Sequence, residues 1–355
     1  RDSFLLLASN MLQVILALII NIAFARIIID KGDFGKFQQI FILTNFFISL
    51  ANGINISSNY FFGFYLKIKK QNLFFRRFFN TMLFYVFMAG FIILFSRNIL
   101  SENFGNNYIS DYYFLIILFF SFKCLNTFFV NFSLNTKSLQ YYFNIQIVHF
   151  FLVAILIYVS LNSNFEISKI LLFLTIIEFI KFILLFKKLF KFLIITQKHI
   201  LVNKPEYKYL LSITAIGLVG TSNLYIDKYM VSTILSPFDF AEYQVGAFVI
   251  PFMGIITGSI ITVLIPQFSK RYAEKKINEI IFLLRNAVKK ITVLLIPILV
   301  FCILFGNDLI VFLYTEKYSS SGLIFQIYTL NFFLTVVTFT AVLNSVGQQN
   351  KMILN

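Results

Sequence analysis

Apolar runs near 20 residues recur along the whole chain, separated by short polar stretches. Each is long enough to cross a roughly 30 Å hydrocarbon core as an α-helix. The pattern predicts ten helices, at about 3–29, 36–60, 79–96, 112–135, 140–161, 166–186, 207–235, 241–266, 288–305 and 320–344. The stretch from Phe4 to Phe24 is one of many such runs and lacks a small-residue cleavage site, so it reads as a span and not as a signal peptide.

The polar stretches alternate in charge. The loop after the second helix carries Lys67, Lys69, Lys70, Arg76 and Arg77 with no acid. The loop after the sixth carries Lys181, Lys187, Lys188, Lys191, Lys198, Lys204 and Lys208 against Glu206 alone. The one after the eighth has Lys270, Arg271, Lys275, Lys276, Arg285, Lys289 and Lys290. The odd-numbered loops are neutral or acidic, holding Asp30, Lys31 and Asp33, then Glu102 and Asp111, then Glu166, then Asp239 and Glu242, then Asp308, Glu316 and Lys317. Cytoplasmic loops retain the excess of Lys and Arg, which places the N-terminus and the even loops in the cytoplasm. The longest odd loop, about 97–111, leaves no room for an extracytoplasmic catalytic domain.

Composition agrees: 59% of residues are hydrophobic and 13% charged, with mean hydropathy +0.84, against roughly 25% charged in soluble domains. A net charge of +15 raises the question of nucleic acid, but the cations sit in short clusters between apolar segments and no nucleic-acid motif accompanies them. Anionic lipid headgroups are their expected counterpart. Cys124 and Cys302 both fall inside apolar segments, so neither a disulfide framework nor a metal site is expected, nor any cofactor. The 49 Phe and zero Trp read as codon usage and carry no mechanism.

An internal repeat orders the ten helices. Asp33-Phe34-Gly35-Lys36-Phe37-Gln38 recurs as Asp239-Phe240-Ala241-Glu242-Tyr243-Gln244, 206 residues later. Leu134-Asn135-Thr136 and Leu343-Asn344-Ser345 echo each other at nearly the same offset. Six helices separate equivalent points, so the copies share an orientation and form a parallel repeat. The expected organisation is an all-α polytopic membrane protein: a six-helix bundle over 1–186, a basic cytoplasmic linker over 187–206, and the first four helices of a second bundle over 207–355. On that arithmetic the second half is truncated, and the chain is expected to be trimmed at both ends.

Ala25-Arg26 followed by Asp33-Phe34-Gly35-Lys36-Phe37 resembles the first-hairpin pattern of polysaccharide flippases, which belong to the multidrug, oligosaccharidyl-lipid and polysaccharide (MOP) exporter superfamily. Ile226-Asp227-Lys228, Leu235-Ser236-Pro237, Asp239-Phe240 and Tyr243 resemble the seventh-helix pattern of the same family, and Asn344-Ser345-Val346-Gly347-Gln348 its helix exit. Lys31-Gly32 stands where a Gly-Pro pair is common, and Ala241 replaces the usual Gly of the second copy. The resemblance implies two bundles, of the MATE kind, forming a V around a cavity lined by helices one, two, seven and eight. It also implies a transporter of the bacterial inner membrane that flips undecaprenyl-diphosphate-linked oligosaccharide, for O-antigen, capsule or a related glycan, by alternating access. Its implied partners are that lipid-linked glycan, membrane lipids and the polysaccharide polymerase machinery.

A polar headgroup crosses hydrocarbon only through a wet cavity, so polar residues inside spans are the candidate site. Asn10, Gln13 and Asn21 share one face of the first helix; Asn52 and Asn55 belong to the second, with Asn45 and Asn59, and Asn223 to the seventh, with Thr221 and Ser222. Interhelical hydrogen bonding explains them equally well. Ionisable residues within spans cost roughly 2.5–3.5 kcal/mol at the centre and face a cavity or a partner; Arg26, Lys123, Glu178, Asp227 and Lys228 are the cases here. Lys123 suits a diphosphate, unless Glu178 neutralises it, and Arg26 has the alternative of snorkelling to the interface. Asp227 and Lys228 point about 100° apart, so each is expected to face a different neighbour. Pro251 and Pro266 mark the eighth helix as one able to bend, with close packing at its glycines as the other reading. His149 is read as a satisfied buried histidine, and the coupling ion, sodium or proton, stays open. A cation-coupled multidrug exporter of the same superfamily is the alternative function. An enzyme is not expected, since two His and short outer loops supply no catalytic cluster.

Overall fold

The computed structural model describes residues 2–68, 70–136, 138–163, 165–190, 203–248, 270–272 and 274–331, and residues 257, 260, 264, 267 and 268. Among them every regular element is helical: α1 (Asp2–Ile27), α2 (Lys31–Lys67), α3 (Gln71–Phe104), α4 (Asn107–Asp111), α5 (Tyr113–Asn135), α6 (Leu139–Ser163), α7 (Ile167–Leu189), α8 (Lys204–Ile234), α9 (Pro237–Gly246), α10 (Ile277–Leu304), α11 (Gly306–Tyr314) and α12 (Ser321–Leu330), with one 3-10 turn at Glu316–Tyr318. Seven of these helices, α1, α2, α3, α5, α6, α8 and α10, are long and apolar enough to cross a membrane. The sixth predicted span, α7, is 23 residues long but carries at least three charges in any 18-residue window, which is why hydropathy alone passes it over.

Helices run further than the apolar runs do. The third predicted helix, 79–96, is α3 at 34 residues, because Arg76, Arg77, Arg97 and Glu102 lie on helical turns that flank the apolar run. It stops at Gly105, whose φ of 56° is left-handed; there the N–H of Gly105 bonds to Glu102 O and that of Asn106 to Ser101 O. The outer loop at 97–111 is thus mostly helix, completed by α4. At 37 residues, α2 is about 55 Å long, longer than a roughly 30 Å hydrocarbon core requires.

The repeat shows in the caps. The Asp30 side chain accepts from Asp33 N at 2.8 Å and opens α2, while Ser236 Oγ accepts from Asp239 N at 3.2 Å and opens α9. The two capping residues are themselves 206 apart. So the capping residue stands three residues before the shared Asp, the helix begins two before it, and each Asp sits in the first turn.

The chain divides into two compact units, Arg1–Ala241 and Glu242–Asn355. In the first, α1 packs on α6, and α5 packs on α2, α3 and α7. Phenylalanines fill the core between α3, α5 and α7: Phe75 and Phe132 rings lie 4.4 Å apart, Phe79 and Phe129 5.5 Å, Phe182 and Phe186 5.5 Å. The phenylalanine content therefore has a packing role that composition did not disclose. Cys124 is fully buried there as a free thiol. This unit also contains α8, which packs along α2; the compact units follow that seam and not the boundary between sequence repeats. In the second unit α12 packs on α10 and α11, Gln326 Nε2 donates to Ile303 O at 2.9 Å, and the buried rings of Tyr314 and Tyr318 meet edge to face.

Two glycines let α2 approach its neighbours. A Cβ at Gly35 would overlap the backbone carbonyl of Pro237, and one at Gly53 would overlap the side chain of Thr214, whereas one at Gly63 would meet nothing within 4 Å. Overpacking of this kind costs about 1–3 kcal/mol. Gly53→Ala is expected to lower the thermal unfolding temperature of the detergent-solubilised protein and Thr214→Ala in the same chain to recover part of the loss. Gly63→Ala is expected to be neutral or stabilising, and equal effects at Gly53 and Gly63 would show that α8 does not lie on α2 as described.

Candidate functional site

The first unit encloses a cavity of about 650 Å3 between α1, α2, α5, α6 and α7, within the roughly 300–1,000 Å3 usual for small-molecule sites. Its polar wall follows from helical spacing. On α2, Asn52, Asn55 and Asn59 are three and four residues apart and share one face; on α5, Lys123, Thr127, Asn131 and Leu134 do the same. α1 contributes Gln13 with Leu16, Ala17 and Ile20; α6 contributes His149, and α7 Glu178 and Lys181.

Glu178 is engaged on every side. Asn126 Nδ2 donates to its carboxylate at 2.7 Å and to its backbone carbonyl at 2.9 Å, and His149 Nε2 lies 3.5 Å from the other carboxylate oxygen. Neither lysine shares in this. Lys123 Nζ stands over the rings of Phe41 and Phe119, at 5.3 and 5.2 Å from their centroids, a cation–π arrangement. Among the described residues, neither Lys123 nor Lys181 has a hydrogen bond to its Nζ or an ion pair within 4 Å. Lys181 is 7% exposed and Glu178 8%, so the cavity holds two cations and one carboxylate already occupied by other groups. Neutralisation of Lys123 by direct pairing with Glu178, one of the two sequence readings, is not what the geometry shows.

The asparagines tie α2 to α5 and still face the cavity. Asn55 Nδ2 donates to Thr127 Oγ1 and Asn52 Oδ1, both at 3.4 Å. Asn131 Nδ2 donates to Ser58 Oγ and Asn55 O at 2.9 and 3.0 Å, and Asn135 Nδ2 to Asn59 Oδ1 at 2.7 Å. Interhelical bonding and cavity lining are here the same residues doing both.

Of the residues singled out from sequence, Gln13, Asn52, Asn55, Asn59, Lys123, His149 and Glu178 meet on this wall. Several lie elsewhere. Asn10 and Arg26 are exposed on α1, Arg26 in its last turn, and Asn21 accepts from Gln38 Nε2 at 3.4 Å. Asn223 is exposed on α8. Asp227 and Lys228 approach each other at 3.9 Å, the long lysine stem spanning the angle between consecutive helix positions. Pro251 and Pro266 lie outside the described residues, as does the Asn344–Gln348 helix exit. Lys181, Asn126 and Asn131 were missed. Lys181 was counted as a loop cation because the sixth apolar run fades there, yet α7 continues to Leu189 and turns it inward; the Glu178-x-x-Lys181 spacing was the available signal. His149, read as merely buried, lines the cavity against Glu178.

No protein-family model matches the sequence, and no curated protein matches it. A solved structure, the inward-facing conformation of a multidrug resistance MATE family transporter of the MOP superfamily, is similar in fold: the match covers 100% of this chain and 86% of that one, with a TM-score of 0.69 at 10% sequence identity. This is a multi-pass membrane protein, all-helical among the described residues, whose fold is similar to that of this MATE transporter.

Proposed function

We propose that the protein flips undecaprenyl-diphosphate-linked oligosaccharide across the bacterial inner membrane by alternating access, with its N-terminus in the cytoplasm. The observation that supports this most directly is the pair of cavity lysines, Lys123 and Lys181, neither held by a carboxylate within 4 Å. Unpaired cations at low dielectric are costly, and an anionic ligand removes that cost. A diphosphate supplies the charge, and the amides of Asn52, Asn59 and Asn131 offer the donors and acceptors that sugar hydroxyls need. The prenyl tail is as apolar as the bilayer and stays in it. Membrane lipids and a glycan polymerase are the partners this reading carries with it.

The multidrug exporter reading draws on the MATE protein of similar fold and on Glu178, a buried carboxylate in the first bundle. A cationic substrate would have to approach Glu178 past Lys123 and Lys181 while His149 and Asn126 already hold its oxygens. The lipid-linked anion fits the same wall without displacing anything.

Two outcomes test the proposal. In a strain lacking its own flippase, the full chain is expected to restore surface glycan, and Lys123→Met and Lys181→Met to lose that rescue while still inserting in the membrane. Each charge-assisted contact is worth about 1.5–3 kcal/mol, so each variant should weaken binding of a short prenyl diphosphate by about tenfold or more; unchanged rescue by both variants would sink the reading. The same substitutions are expected to raise the thermal stability of the purified, ligand-free protein by a few degrees, because each removes a buried charge that has no ion pair within 4 Å. A fall in stability would mean that the lysines serve the fold.

A further inference from the structure

A second buried polar network joins the far ends of α2, α3 and α8, away from the cavity. Arg77, Tyr65 and Glu206 are 4%, 3% and 4% exposed. Arg77 Nη1 donates to the Tyr65 hydroxyl at 2.6 Å, and that hydroxyl donates in turn to Glu206 Oε1. Arg77 Nη1 lies 3.8 Å from the same carboxylate oxygen. The other oxygen, Oε2, accepts from Asn203 N at 2.7 Å and closes the capping box of α8. One carboxylate therefore fixes both the first turn of α8 and its attachment to α2 and α3.

The attachment runs the length of the helix. Of the 31 residues of α8, the buried ones are Glu206, Leu210, Thr221, Lys228 and Ser232, at spacings of four, eleven, seven and four, a single stripe along the helix. At the Glu206 end the stripe is backed by Tyr209, stacked on Tyr60 with ring centroids 4.4 Å apart. At the opposite end Gln39 Nε2 donates to Ser232 O at 3.4 Å and to Phe104 O at 2.9 Å, and Gln39 Oε1 accepts from Asn106 Nδ2. Both ends of the seam are held by polar groups, and its middle by the Gly53–Thr214 contact.

Polar holding of this kind suits a joint that opens. Replacing a buried charge pair by well-packed apolar side chains is often neutral or stabilising, so the network is a poor device for permanent attachment. An apolar joint exposes its surface at full cost when it parts, whereas Arg77, Tyr65 and Glu206 take water as a partner once separated. Paired, they bond to one another but leave Arg77 Nε buried without a partner, so both arrangements are open to them, as a two-state element requires. We infer that Arg77, Tyr65 and Glu206 form a latch that holds the Glu206 end of α8 against α2 and α3, and that its release lets this end swing away while the Ser232 end stays closed. The inference rests on the transport reading for its purpose, though not for its geometry.

The test uses the full chain with Cys124→Ala and Cys302→Ala, carrying one new thiol at Leu210→Cys or at Ser232→Cys, in vesicles exposed to a membrane-impermeant maleimide on either face. Glu206→Gln keeps an N3 side chain able to cap α8 while removing the charge, and Tyr65→Phe keeps the ring that packs on Phe74 while removing both bonds. Each is expected to raise labelling of Leu210→Cys by roughly tenfold, the population change that a modest loss of coupling produces, with no rise at Ser232→Cys. Unchanged labelling at Leu210→Cys in both variants overturns the latch, and so does an equal rise at both thiols, which would indicate general loosening. Tyr65→Phe alone decides the matter if Glu206→Gln fails to assemble. Glycan rescue, read in parallel, separates the two conclusions: a chain that shows the labelling change but never rescues keeps the latch and loses the lipid-linked substrate.

Discussion

Hydrocarbon offers no hydrogen-bond partner, and this governs where every polar atom of the spans can go. Backbone groups are satisfied by running as helix from end to end; side chains must find one another or a ligand. The polar residues sort on this criterion. Gln39 and Asn106 bond to each other and to backbone carbonyls, Asn131 and Asn135 bridge α5 to α2, and Glu178 is held by Asn126 and His149. Lys123 and Lys181 are left as cations facing space. The cavity is thus marked less by its size than by holding two lysines without an ion pair within 4 Å.

The same constraint explains the form of the repeat. A parallel duplication gives two helix starts in equivalent settings, and each needs its first-turn N–H groups capped; Asp30 and Ser236 do so with different side chains at the same offset. What differs is packing. Gly35 of the first copy leaves room for the Pro237 backbone of the second, so the two starts abut, and only one of the two helices needs the missing Cβ. The departure of Ala241 from the glycine of the first copy is what an asymmetric contact between equivalent elements permits.

Much of this was legible in the sequence. Apolar run length gave the spans to within a few residues at α1, α5, α6 and α8, because there the hydrophobic run and the helix end together. It gave α7 as closely, but fell short at α2 and α3, where helical turns continue past the apolar run; Arg76, Arg77 and Lys181, read as loop cations, are helical, and two of the three are buried. A one-dimensional pattern shows which face a residue occupies only if its helix is known to continue. Lys123, Gln13, Asn52 and Asn55 were legible as polar residues deep in spans, whereas their convergence depended on α1, α6 and α7 closing around α5, which no local spacing encodes. Glu206, a lone acid among lysines, carried no sign that it would meet Tyr65, 141 positions away.

One feature of the cavity argues about turnover as well as binding. Two lysines alone would hold a diphosphate tightly, and a transporter must also let go; favourable entry and possible exit both require a moderate field. Glu178 stands on the same helix as Lys181, one turn before it, and lines the same space. Its charge offsets one lysine, and because His149 and Asn126 orient it, it offsets without neutralising either lysine by direct contact. Within the proposed function, the carboxylate then sets the depth of the anion well: with it the wall carries a net single positive charge against a ligand of greater negative charge, and without it the ligand would be bound too well to leave. A cationic site tempered by a fixed acid is what moving an anion across, as distinct from storing it, asks of these residues.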